Sequence, residues 1–71
     1  MPYSHNLELP PSVRTHLPDH AQDIYREAFN HAWRSYDGDE PIAHRVAWAA
    51  VKRRYVKTRT GWVARASVSS P

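Results

Sequence analysis

The 71-residue chain contains no cysteine, which excludes a disulfide framework, a thiolate metal site and a cysteine nucleophile, and leaves packed apolar side chains to supply stability. Glycine occurs only twice, so no glycine-rich loop cradles a nucleotide phosphate. Long apolar runs are missing too. The longest uncharged stretch of the apolar part, Val46 to Val51, covers six residues, against the roughly 20 of a membrane-spanning helix. The opening Met1-Pro2-Tyr3-Ser4-His5-Asn6 has neither the basic nor the apolar segment that directs export. A soluble, cytoplasmic protein is the expectation. Acid is also absent from one half of the chain. Up to Glu40 three arginines face seven carboxylates, a net of −4, whereas Arg45, Lys52, Arg53, Arg54, Lys57, Arg59 and Arg65 give +7 afterwards with no acid to oppose them.

What is present argues for a folded chain. Apolar residues make up 41% and charged residues 24%, and three Trp, four Tyr and one Phe carry large burial per residue. At 8.2 kDa one small domain is expected, over residues 1–65, with a disordered tail over 66–71 that is Ser-rich and has no period.

The first eight residues show no pattern and read as a mobile or loosely docked lead. Pro10-Pro11 then presets a helix entry, and Leu9, Val13 and Leu17 recur at spacing four, which predicts a short helix over 11–17 that Pro18 ends. Two turns cannot stand alone, so this helix must brace on longer ones. Asp19 reads as the cap of a second helix over 20–36, with Gln22 completing a capping box. Ala21, Ile24, Tyr25, Ala28, Phe29, Ala32, Trp33 and Tyr36 form its apolar stripe, and Asp37-Gly38-Asp39 breaks it. Asp39 or Glu40 can cap a third helix with Pro41 in its first turn. Its buried stripe, Ala43, Val46, Ala47, Ala50, Val51 and Tyr55, is mostly small, so the two long helices can lie close and antiparallel, with Phe29, Trp33 and Trp48 filling the sides. Residues 56–63 are β-branched with Gly61 placed to turn, which suggests a small arm or hairpin anchored by Trp62. The fold class is therefore mainly α: a short N-terminal helix braced on an antiparallel helix pair, with a small C-terminal β-arm.

Candidate sites follow from the same pattern. Ser12, Ser35 and Thr58 have no visible His and Asp partners, and two packed helices enclose little volume, so an enzyme is not expected and no cofactor is implied. His20, Asp23, Glu27 and His31 lie three, four and four apart along one strip of helix 2 and are weak candidates for a metal, although one helix seldom closes a coordination sphere and a solvated face is the ordinary reading. His44 falls in the apolar arc of helix 3, where a hydrogen-bonded, half-buried imidazole is favoured over a pH sensor. Tyr25, Phe29, Trp33 and Tyr36 read as core rather than as a ligand site. The basic face, Arg45, Lys52, Arg53, Arg54, Lys57 and Arg59, continuing to Arg65, is the most informative feature: it suits an acidic protein surface, an anionic membrane face or nucleic-acid phosphates. A helix followed by a basic β-arm is loosely like the helix-and-wing shape of DNA binders, yet long cationic side chains alone do not read bases.

Leu9-Pro10, Ser12-Val13, Leu17-Pro18, His20 to Tyr25, Glu27 to Asn30, Ala32-Trp33 and Tyr36, then Ala43-His44, Val46 to Lys52 and Tyr55, together resemble the signature of the ChaB family, and Met1-Pro2-Tyr3 fits as well. The resemblance covers residues 1–63. It implies a small, mostly helical cytoplasmic regulator of cation transport, named for its association with a cation–proton antiporter. A protein partner is thus implied, and because viral members have been linked to DNA binding, nucleic acid is the alternative partner. The linker Asp37 to Glu40 is shorter and less charged than in better-known members.

Overall fold

Prolines open the helices of this chain. In the computed structural model, which describes residues 3–59 and 61–65, Pro11 starts α1 (Pro11–Arg14) and Pro18 immediately precedes α2 (Asp19–Ser35). Pro41 sits in the first turn of α3 (Glu40–Arg54), where its missing N–H has no helical partner to lose. A 3-10 turn, Asn6–Glu8, comes before α1. Two strands, β1 (Tyr55–Thr58) and β2 (Gly61–Ala64), follow α3 as an antiparallel hairpin that pairs Tyr55 with Ala64 and Thr58 with Gly61. The expected mainly α architecture with a small hairpin is present, and no described helix is long and apolar enough to cross a membrane. Ala66 to Pro71, read as a tail, lie outside the described residues.

The core is the seam between α2 and α3. Ala21, Tyr25, Phe29 and Ala32 face Ala43, Ala47 and Val51, and all are buried. Alanine at three-to-four spacing lets the backbones approach, so the bulky Tyr25 and Phe29 rings are fully enclosed. Trp33 and Trp48 pack at the sides, half-buried. Ring contacts then run from Trp33 through Phe29 and Tyr25 to Trp48 and on to Trp62 of the hairpin, with centroids 5.4–6.1 Å apart, so Trp62 anchors the arm as expected.

Tyr36 departs from the stripe and is 51% exposed. It is the C-cap, where the chain leaves the helix. Asp37 turns into the left-handed region at φ 53°, and the Gly38 amide donates to the Trp33 carbonyl at 2.7 Å, the closing bond of a Schellman turn. Gly38 has φ 77°, and a Cβ there would lie 3.3 Å from the Trp33 ring, so both conformation and space favour glycine. Asp39 caps α3 as expected, its carboxylate accepting from the Ile42 amide at 3.2 Å.

Three expectations need correction. The first helix is regular only over Pro11–Arg14 and relaxes into turns as far as Leu17. Asp19 is not the cap of α2, because the helix already includes it and no side chain caps its start. Gln22 instead reaches back from α2 and donates from Nε2 to the carbonyls of Arg14 (3.2 Å) and Leu17 (2.8 Å). It fastens the end of α1 to α2, supplying a donor to carbonyls that a short helix leaves open. The lead is docked rather than loose from Tyr3 onward. Tyr3 exchanges two backbone-to-amide hydrogen bonds with Asn30, both 2.8 Å, and its ring packs 4.8 Å from Phe29. Arg26 donates to the Ser4 carbonyl at 3.0 Å, and Asn6 donates to the Asp23 carboxylate at 2.7 Å. Asp23, Arg26 and Asn30 recur along one side of α2, and that row receives the lead.

Phe29→Ala should therefore destabilise the chain by about 3–5 kcal/mol, the cost of emptying a fully enclosed aromatic site. Trp33→Ala should cost less, since that ring is half-buried. Gln22→Ala should cost about 1–3 kcal/mol by leaving the Leu17 carbonyl unpaired. Urea melts rank the three, and an unchanged midpoint for Phe29→Ala would put that ring in water.

Candidate functional site

The last turn of α3 carries Lys52, Arg53 and Arg54, a position where the negative end of the helix dipole favours cations. Because Tyr55 begins β1 directly, the charges continue onto the hairpin, with Tyr55 inward, Lys57 exposed along the strand and Arg59 exposed at the turn. The hairpin register brings residue 65 back beside the end of α3, and Arg65 Nε donates to the Lys52 carbonyl at 2.9 Å. Arg45 lies on the same side of α3 as Lys52, two turns earlier, roughly 10 Å along the axis. Among the described residues, Arg45, Lys52, Arg53, Arg54, Lys57 and Arg59 are all exposed and none forms an ion pair. The structure thus gathers Lys52, Arg53, Arg54 and Arg65, and leaves Arg45, Lys57 and Arg59 at the margins.

The strip His20, Asp23, Glu27 and His31 forms one wall of an open groove of about 590 Å³ between α2 and α3. Ile24, Ala28, Val46 and Ala50 also line it, and Arg53 and Arg54 line it as well. Two guanidinium groups in the same groove oppose a metal cation by simple repulsion. Asp23 is moreover engaged by Asn6 and by Arg26 at 3.7 Å. No group of three or more His, Asp or Glu side chains able to hold a metal occurs among the described residues. The groove combines carboxylates and imidazoles with guanidiniums, open to solvent and without a sheltered interior, which suits surface recognition better than proton transfer.

Next to it lies a smaller pocket of about 320 Å³, lined by His20, Arg54, Tyr55, Ala64 and Arg65. His20 belongs here by tertiary placement: its ring lies 6.3 Å from that of Tyr55, tilted by 48°. Sequence spacing assigns His20 to a strip on its own helix and says nothing of Arg54 or Arg65. The signal that could have revealed the group is Gly61, placed to turn the chain, which fixes where Arg65 returns.

His44 is exposed as a residue, more so than its place in the apolar arc suggests, yet its ring is held. The Tyr25 hydroxyl and His44 Nδ1 share a hydrogen bond, and the imidazole stands edge-on to Tyr25 and Phe29. This bond satisfies the phenol of the fully buried Tyr25. Burial first, then the negative charge of Tyr3 and Glu40, raises the Tyr25 pKa well above the ordinary 10.0, and burial with Glu40 raises that of Tyr3.

Comparison with known proteins adds a lineage. The family model for ChaB matches residues 9–65. An Escherichia coli K12 protein named "putative cation transport regulator ChaB" is 52% identical over 66 residues, covering 80% of this chain and 87% of the relative. An uncharacterized protein from the LEF8-FP intergenic region of Lymantria dispar multicapsid nuclear polyhedrosis virus is 35% identical over 51 residues, 72% of each chain. Among solved structures, an NMR solution structure titled "putative cation transport regulator ChaB" is similar at a TM-score of 0.79 and 48% identity, over 89% of this chain and 97% of the other.

The raised phenols give a signed pH dependence. Below the ordinary tyrosine value of 10.0 both the folded and the unfolded chain keep these protons, and the associated stability is fully present. Above it the unfolded chain releases protons that the folded chain retains, so stability should fall as pH climbs toward the folded pKa values. Urea midpoints across the alkaline range check this, and Tyr25→Phe should flatten the decline.

Proposed function

The chain belongs to the ChaB family, and from that premise we propose that it is a non-enzymatic regulator of cation transport, acting in the cytoplasm by docking its basic face on an acidic surface of a cation–proton antiporter. The observation that carries this reading is the set of exposed cations at the end of α3 and along the hairpin that form no ion pair among the described residues. Such charges are already solvated and unpaired by carboxylate, so meeting an acidic partner requires no internal ion pair to be broken. Complementary charge of this kind speeds encounter and sets orientation, while the apolar interior acts as scaffold. The regulatory role named for the Escherichia coli relative supports the same direction, as does an open groove in place of an enclosed reaction chamber.

The test is the triple reversal Lys52→Glu, Arg53→Glu, Arg54→Glu in cells that depend on the protein for cation tolerance. With the helical circular-dichroism signal retained, the variant should lose co-purification with the antiporter and the tolerance phenotype together. Wild-type behaviour in both measurements would remove the docking role. A gel shift separates the nucleic-acid alternative, which requires a complex at low salt whose affinity drops steeply as salt rises, with the slope reduced by about one for each phosphate-contacting cation removed. Docking on protein expects no such complex.

A further inference from the structure

We propose that His20, Arg54 and Arg65 form a binding site for a single phosphoryl dianion. The three residues come from the first turn of α2, the last residue of α3 and the position after β2, and they line one pocket of about 320 Å³ with Tyr55 and Ala64. Among the described residues no carboxylate lines it, so an anion entering meets two guanidinium groups and an imidazole. One of the donors is oriented beforehand. Arg65 spends its Nε on the Lys52 carbonyl, which fixes the guanidinium plane and leaves its terminal nitrogens to form a fork. The His20 ring lies beside that of Tyr55, with centroids 6.3 Å apart. Arg54 is carried by the final turn of a packed helix.

Phosphoryl fits this set better than carboxylate does. Three separate donor groups match three terminal oxygens, and two permanent guanidinium charges match a dianion, whereas a carboxylate offers two oxygens and one charge. The volume is at the small end of ligand sites, about 300–1,000 Å³, and admits a phosphate with a modest ester substituent. The same chemistry is offered by a phosphomonoester in solution and by a lipid phosphomonoester headgroup. The site does not depend on the antiporter reading, although Arg54 contributes to both.

The experiment is an NMR titration of the full chain with inorganic phosphate at constant ionic strength, with chloride and acetate as controls. The His20 ring, the Tyr55 ring and Arg65 Nε–H should shift saturably with phosphate alone. Arg65→Ala and His20→Ala should each weaken the affinity by about tenfold, the scale of one charge-assisted hydrogen bond. Arg65→Lys keeps the charge without the fork and should recover only part of it. Lys57→Glu with Arg59→Glu should leave phosphate binding nearly intact, so a failure of macromolecular docking is read separately from a failure of this site. A second arm compares phosphatidylcholine vesicles with and without phosphatidic acid: recruitment lost in Arg65→Ala assigns the phosphoryl to lipid, and saturation by free phosphate without recruitment assigns it to a soluble ester. Equal shifts with acetate or chloride, or unchanged affinity in both Arg65→Ala and His20→Ala, would overturn the proposal.

Discussion

Enclosure of Tyr25 and Phe29 between α2 and an alanine-lined face of α3 is the constraint from which the other placements follow. Tyr25 and Phe29 are the largest fully buried side chains among the described residues, and they can be covered only if Ala43 and Ala47 let α3 approach. With the helices joined by four residues, Tyr36 to Asp39, that contact fixes how α3 runs along α2, and so which residues meet at its far end. His44 is part of the same arrangement. Tyr25 brings a hydroxyl into the seam, and a buried hydroxyl without a partner costs about 1–3 kcal/mol. The imidazole from the neighbouring helix removes that cost.

Given this alignment, the termini of the long helices decide the surface. The end of α3 arrives near the beginning of α2, and the hairpin, tied through Trp62 to Trp48, folds Arg65 back to the same place. Two cations, Arg54 and Arg65, and the imidazole of His20 converge there from three parts of the chain without a carboxylate among the described residues of that pocket. The acids lie ahead of α2, along it and as far as the first residue of α3, with Asp23 engaged by the lead and Asp39 capping α3. Segregation of charge in the sequence thus becomes segregation in space, although Arg26 lies against Asp23 on α2 and Arg53 and Arg54 share the walls of the groove with Asp23 and Glu27.

The helices were legible because their signals are periodic and local: the apolar stripe of α2, the alanines of α3, the proline entries and the Asp39 cap each act within one or two turns. The hairpin followed from one glycine among β-branched residues. Docking of the lead was not legible, because Asp23, Arg26 and Asn30 have the composition of a solvated face and the partner of Asn30 lies 27 residues away at Tyr3. Gln22 misled for a related reason. Its spacing from Asp19 fits a capping box, but the prior turn offered open carbonyls that its amide reached instead. Of the candidate site, the cationic residues were readable one by one; the joining of His20 with Arg54 and Arg65 was not, since no local pattern links residues brought together by the seam and the hairpin register.

The cations of this surface do not all need the same explanation. Lys52, Arg53 and Arg54 occupy the last turn of α3, where each interacts favourably with the helix dipole by about 0.3–1 kcal/mol at an exposed position. Folding alone therefore gives a reason for positive charge there, and reversing these residues should weaken the helix end as well as any contact with a partner. Arg65 has a partial structural reason in its bond to the Lys52 carbonyl, but that bond uses Nε and leaves the rest of the guanidinium unassigned. Lys57 and Arg59, exposed on a two-stranded hairpin, form no ion pair among the described residues, and nothing described in the fold rewards their sign. Residues whose charge lacks an internal use are the ones whose presence speaks for an external anion, so the argument for recognition is stronger at the hairpin and at Arg65 than at the helix end where the charge density is highest.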